Sequence, residues 1–253
     1  MRNIFIIAKN TFKQVIRDRI LYGILVFALL FLGSTIVLSS LSLGEDLFVM
    51  RNFGLAGIYI FGLLITIFLG ASIVYEEVER KTTYFILTKP VAKTHLIWGR
   101  FLGLWAGVCT TIILMAGTYL LIISLNNGGF DYMALYAIVL QLFEMALIIS
   151  IIIMFSMFTS PLASIIYTVL ILYIGHLLTL LHTFALKSGM ISKSILLSVY
   201  YLAPNLEKFD IRNLIVHNVP ISLPEVLISV IYASVYIILA LYIAQMLLNR
   251  KDL

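Results

Sequence analysis

The chain has 253 residues, 62% of them apolar and only 11% charged, with a mean hydropathy of +1.10. That balance excludes an ordinary soluble globular domain and fits a polytopic membrane protein. The net charge of +5 follows from the placement of Lys and Arg around the spans and from attraction to anionic lipid, so it gives no support to nucleic-acid binding.

Residues Met1 to Arg19 lack the continuous apolar core and small-residue cleavage site of a signal peptide. Ile4, Phe5, Ile7, Ala8, Phe12, Val15 and Ile16 recur at helical spacing opposite Lys9, Lys13, Gln14 and Arg17. The segment 1–19 is therefore expected to be an amphipathic helix on the membrane surface. The alternative is a plain extension of the first span.

Stretches long enough to cross a core of about 30 Å run over Leu21 to Leu43, Phe53 to Tyr75, Trp98 to Leu125, Tyr132 to Thr159, Leu162 to Leu186 and Val226 to Leu248. The expected fold is all-α with six transmembrane helices. Ser160-Pro161 separates the fourth from the fifth, because proline cannot continue a helix from its N-terminal side. Lys and Arg favour the cytoplasmic side. An N-terminus placed there gathers twelve of the 17 basic residues on that side, so both termini are expected to be cytoplasmic in an inner membrane.

Between the second and third spans lies a charged interruption, residues 76–97, which must face water. Within it Thr82 can start a helix, Tyr84, Phe85, Ile86 and Leu87 give an apolar face, and Pro90 ends it after Lys89. Glu76, Glu77, Glu79, Arg80 and Lys81 are free to pair with a partner or with the N-terminal helix. A solvated juxtamembrane loop is the plainer reading.

The next span opens with Gly99, Gly103 and Gly107, one small residue per turn on one face, a pattern that permits close helix packing. The spacing does not say which helix, or which copy of the chain, approaches. Cys109 is the single cysteine and lies within a span, which excludes an internal disulfide and a cysteine zinc cluster. Gln141 and Glu144 lie within the fourth span, and an acid in hydrocarbon marks either a pathway or a bond to a neighbouring helix. His176 and His182 are six residues apart in the fifth span and so do not share a face for a metal; isolated polar packing is expected. No metal site is expected. The long segment 187–225 on the outer side contains a short amphipathic helix over Ile191 to Leu202, the breaker Ala203-Pro-Asn205 and the charges Glu207, Lys208, Asp210 and Arg212. It is expected to cap the bundle, with gating or partner binding as the alternative.

Glu77-Val-Glu-Arg-Lys-Thr82, then Leu87-Thr-Lys-Pro-Val91, Lys93 and Trp98-Gly-Arg100 resemble the loop between the second and third spans of type-2 ATP-binding-cassette (ABC) transporter permeases. That family has Glu-x-Glu-Arg-x-Thr, a short hydrophobic helix, Ser-Lys-Pro-Val-x-Arg, and Gly-Lys or Gly-Arg at the next span. Thr88 stands here for serine and Lys93 for arginine, keeping hydroxyl and charge but losing the planar guanidinium. The resemblance is strongest to permeases associated with copper-enzyme maturation, and extends to Ile16-Arg-Asp-Arg-Ile20 and Tyr201-Leu-Ala-Pro-Asn205.

The resemblance implies a permease subunit, an exporter, whose coupling helix inserts into a separate ATPase. Glu77, Glu79, Arg80, Thr82, Tyr84, Phe85, Leu87, Lys89, Pro90, Val91 and Lys93 would form that coupling surface. The chain lacks a Gly-x-x-x-x-Gly-Lys-[Ser/Thr] loop, so ATP and Mg are expected on the partner ATPase and no cofactor on this chain. A second permease copy or a homologue completes the membrane unit. Two alternatives stand beside it: a non-transporting anchor or mechanotransmission subunit, and an integral membrane enzyme, for which no cluster of Asp, His or Ser is apparent.

Overall fold

A computed structural model describes residues 2–41, 45–79, 93–127, 129–187, 189–217 and 219–250. The described residues are helical with no strand: α1 (Arg2–Arg17), α2 (Arg19–Ser40), α3 (Asp46–Glu79), α4 (Lys93–Asn127), α5 (Tyr132–Ser156), α6 (Pro161–His176), α7 (Leu178–Lys187), α8 (Met190–Leu202), a 3₁₀ turn (Glu207–Phe209), α9 (Arg212–Val216) and α10 (Leu223–Arg250). Five of these, α2, α3, α4, α5 and α10, are each long and apolar enough to cross a membrane. The chain is a multi-pass, all-α membrane protein.

The side that carries α1, the end of α3, the start of α4 and the end of α10 is here the near side; the other is the far side. Lys93 at the start of α4 donates to the carbonyl of Leu248 at 3.2 Å, tying the near ends of α4 and α10 together.

Polar residues set the boundaries. Asp18 caps α2 by accepting from Ile20 N–H at 2.9 Å, which separates α1 from α2 by a single residue. Ser160 caps α6 and Pro161 occupies its first turn, as the sequence leads one to expect. Asp131 caps α5 and also pairs with Arg51 Nε at 2.9 Å. Arg51 and the residues from Asp46 onward belong to α3, so the far-side loop expected before Phe53 is mostly helix. The boundaries of the near-side connection shift likewise: residues 76–79 continue α3 and 93–97 already belong to α4.

At 34 and 35 residues, α3 and α4 are each about 51 to 53 Å long at 1.5 Å per residue. That exceeds a hydrocarbon core of about 30 Å, so both project beyond it. α5 is the central helix. Of its most apolar stretch 72% is buried, against 22% for α2 at the periphery, and it packs on α3, α4, α6 and α10. Trp105 of α4 reaches the Leu142 carbonyl of α5 at 3.0 Å.

The glycine face of α4 receives α1. A Cβ on Gly99 would meet Ile7 and the Ile4 carbonyl, one on Gly103 the Ala8 carbonyl and Thr11, and one on Gly107 the side chain of Val15. The two helices thus run in the same direction in near-contact. α1 buries Thr11 and Val15 against α4, while Phe5 stays 72% exposed on the part of its apolar arc that α4 does not cover. Arg2, Lys9, Lys13 and Arg17 lie next to that exposed sector, an arrangement suited to the lipid surface. Arg100 is buried among these helices at 7% exposure, so it is not a side chain snorkelling from a lipid face.

The fifth of the expected spans departs from expectation. Residues Leu162 to Leu186 read as one continuous span, yet the helix breaks at Leu177 and α6 and α7 meet at a bend of 63°. Counted as one span, the pair brings the crossings to six. α6 has only 16 residues, about 24 Å, and the stretch after α8 returns to fill the space at its end. Leu206 N–H donates to the Gly175 carbonyl at 3.2 Å, and Leu206, Phe209 and Ile215 are buried. Gly175 is needed here, since a Cβ would lie 2.8 Å from the Pro204 carbonyl. The physical reason for the break is competition: residues 204–216 supply apolar burial and a backbone donor that a straight helix would displace.

Candidate functional site: a polar cluster inside the bundle

Glu144 lies midway along α5 and is fully buried at 0% exposure. Sequence alone leaves it without a clear partner; the fold gives it two. Tyr59 of α3 donates its hydroxyl to Glu144 Oε1 at 2.9 Å, and His176 Nε2, the last residue of α6, lies 3.1 Å from the same oxygen. Tyr59 Oη and His176 Nε2 are 2.7 Å apart. The three side chains close a triangle. Glu144 Oε2 has no hydrogen-bond partner among the described residues.

The returning segment covers this triangle. Arg212, at the start of α9, places its guanidinium over the Tyr59 ring, 4.0 Å from ring centre to Cζ. Asp210, two residues earlier, accepts from Arg212 Nε at 2.7 Å and from Arg212 Nη2 at 2.6 Å, a bidentate pair. Burial opposes ionisation of Asp210, but the hydrogen bonds and charge of Arg212 outweigh it and hold the carboxyl below its ordinary range. Burial likewise works against the charge on Arg212, and Asp210 more than offsets it. Gln141, one turn before Glu144, donates to the Ile58 carbonyl of α3 at 2.9 Å. Tyr59, Gln141, Glu144, Asp210 and Arg212 line one cavity of about 10 Å³, the size of a single water molecule.

His176 is thus part of a cross-helix cluster, which corrects the expectation of isolated polar packing. His182 is elsewhere, its ring 4.8 Å from that of Tyr200. Tyr59, Asp210 and Arg212 carried no signal as site residues in the sequence. The only hint was the charge left on 207–212 within an otherwise apolar segment. Among the described residues no group of three or more His, Cys, Asp or Glu is arranged to hold a metal ion.

The residues expected to couple to an ATPase fare differently. Arg80, Thr82, Tyr84, Phe85, Leu87, Lys89, Pro90 and Val91 lie outside the described residues. Glu77 and Glu79 fall in the last turn of α3, where only the backbone is described. Lys93 begins α4 and is tied to α10. Gly99, Gly103 and Gly107 do form a packing face, and the helix they receive is α1 of the same chain.

No known protein-family model matches the chain, and no curated protein sequence does.

Proposed function

We propose that the chain is the membrane subunit of an ABC transporter, an exporter, which couples ATP hydrolysis on a separate ATPase to movement of a substrate. The reading begins from the Glu-x-Glu-Arg-x-Thr and Thr-Lys-Pro-Val pattern between α3 and α4. The structural observation in its favour is the setting of that pattern. It joins two helices that both project beyond a bilayer core, and α1 is packed on the first turns of one of them. A displacement of the connection by a bound ATPase would be carried into α4 and α1 together, since glycine contacts leave no slack between them. Two permease copies with two ATPases form the economical assembly. ATP and Mg belong to the partner, and both termini lie on the cytoplasmic side.

A second reading is favoured by one observation. The polar cluster at the centre of the bundle encloses a cavity of only about 10 Å³, so a single copy offers no route for a sizeable substrate there. In the transporter reading the route runs between copies. In the alternative the chain only transmits force or anchors the ATPase.

The deciding experiment is affinity purification of the tagged chain from its native membrane in mild detergent, with identification of co-purifying chains and an ATPase assay. An ABC ATPase with vanadate-sensitive turnover, lost when the 76–97 segment is altered, supports the proposal. A chain recovered alone and without turnover defeats it. Turnover without any substrate movement in reconstituted vesicles selects the force-transmitting alternative.

A further inference from the structure

Charge counting around Glu144 leads beyond the packing of the bundle. The cluster holds two acids, Glu144 and Asp210, one permanent cation, Arg212, and His176, which is charged only when protonated. Arg212 is already matched to Asp210 through two short bonds. Glu144 therefore has no fixed cation of its own. The set is neutral when the Glu144–His176 pair holds one proton, and carries a net negative charge when it holds none. An uncompensated charge at this depth is costly.

The other surroundings do not change the count. From α3 the facing ionisable group is Tyr59, whose hydroxyl is a donor to Glu144. On α4, Tyr119 is committed to Asp131. On α10, Tyr232 accepts from Asn205 N–H and lies under Lys208, while Glu225 lines a separate recess together with Lys208. Tyr59 apart, none of these described groups pairs with Glu144.

We propose that Glu144, His176 and Tyr59 form a proton-binding site inside the membrane, and that the bound proton keeps the segment 203–217 seated in the far end of the bundle. The ligand is a single proton. The link to the segment is geometric. Arg212 stacks on the ring whose hydroxyl serves Glu144, and Asp210 and Arg212 border the cavity that Glu144 also borders. With the proton gone, Glu144 competes with Asp210 for Arg212. One guanidinium cannot neutralise both buried acids, and the remaining charge is relieved by lifting the segment and admitting water. The inference is independent of whether an ATPase binds the near side.

Its test uses the full chain in lipid nanodiscs, with Cys109 replaced by alanine and Val216, which is buried in α9, replaced by cysteine. A water-soluble maleimide reports exposure of the segment. The labelling rate is measured against pH with Glu144 present and again in the Glu144→Gln background, and the ratio of the two removes the ionisation of the thiol itself. The ratio is expected to climb at least about tenfold as the pH is raised across the range in which the chain stays folded, because releasing one proton gives up to a tenfold change per pH unit. A flat ratio overturns the proposal. Should Glu144→Gln fail to insert, an infrared pH titration of the unsubstituted chain decides instead. A protonated-carboxyl band, or an imidazolium band that is missing in His176→Gln, that disappears as the pH is raised supports the site, and the lack of both overturns it.

Discussion

Arg212 lies over the ring of Tyr59, its Cζ 4.0 Å from the ring centre, although one belongs to the segment between α8 and α10 and the other to the middle of α3. The contact joins a charged residue expected at a water-facing surface to the hydroxyl network of a buried acid. Every element of the cluster meets at this pair.

Tyr59→Phe keeps the ring under Arg212 and removes the donor to Glu144. Removing a hydrogen-bond donor from a buried polar group costs about 1–3 kcal/mol. The variant is expected to unfold at lower temperature in detergent than the parent chain, measured by thermal loss of the monodisperse species. Arg212→Lys is expected to cost a similar amount, because an ammonium provides neither the bidentate fork for Asp210 nor the guanidinium contact over the Tyr59 ring.

Acid should loosen the same region by a different route. Asp210 has its carboxyl held below the ordinary value of 3.8 by Arg212. A group depressed in this way contributes stability that is present above its ordinary value and lost as pH falls through the lower one. Protease nicking after Arg212 or Lys208 is not usable at such pH, so hydrogen exchange of residues 206–216 is the measurement. Exchange is expected to accelerate below pH 3.8 in the parent and to be already fast, with no acid step, in Asp210→Asn.

The glycine face makes a paired prediction. A Cβ on Gly103 would lie 2.5 Å from the Ala8 carbonyl oxygen and 2.6 Å from Thr11 Cβ. The first is backbone and cannot rotate away, so Gly103→Ala must push α1 off α4. A cost of about 1–3 kcal/mol is expected, with increased protease access to residues 1–17. Gly117→Ala on the same helix meets nothing within 4 Å, and is expected to be neutral or to gain about 0.5–1 kcal/mol from helix propensity.

The proposed coupling surface is tested by Glu79→Ala, Lys89→Ala and Pro90→Leu. Each is expected to reduce co-purification of the ATPase several-fold while membrane insertion, followed by yield in the membrane fraction, stays at the parent level. Unchanged association in all three would remove the coupling assignment.

Much of the fold was legible from hydropathy, because a span of apolar residues announces itself locally. The Ser160-Pro161 boundary and the helix over Met190–Leu202 were equally local and matched. The break at Leu177 was not, since no Pro or Gly stands at that residue and its cause is Leu206 arriving from later in the chain. The same holds for the site. Glu144 stood out as an acid in an apolar span, but its partners are separated from it by 85 and 32 residues, and nothing in a single sequence links such positions. The amphipathic arc of α1 and the glycines of α4 were each visible; that they fit one another required the structure. The extra turns of α3 and α4 were missed because charged residues beyond a span look like loop, whereas helix continues readily in water.

The short α6 also bears on how the protein is made. A helix of 16 residues does not reach across a membrane core without help, and the donor that completes its far end, Leu206, lies downstream of α7 and α8. While the chain is being synthesised, the end of α6 stays uncovered until that later stretch has emerged and folded back. Truncation anywhere before Leu206 would therefore leave not a smaller bundle but one in which the end of α6 has lost its backbone donor and the cover of Leu206, Phe209 and Ile215.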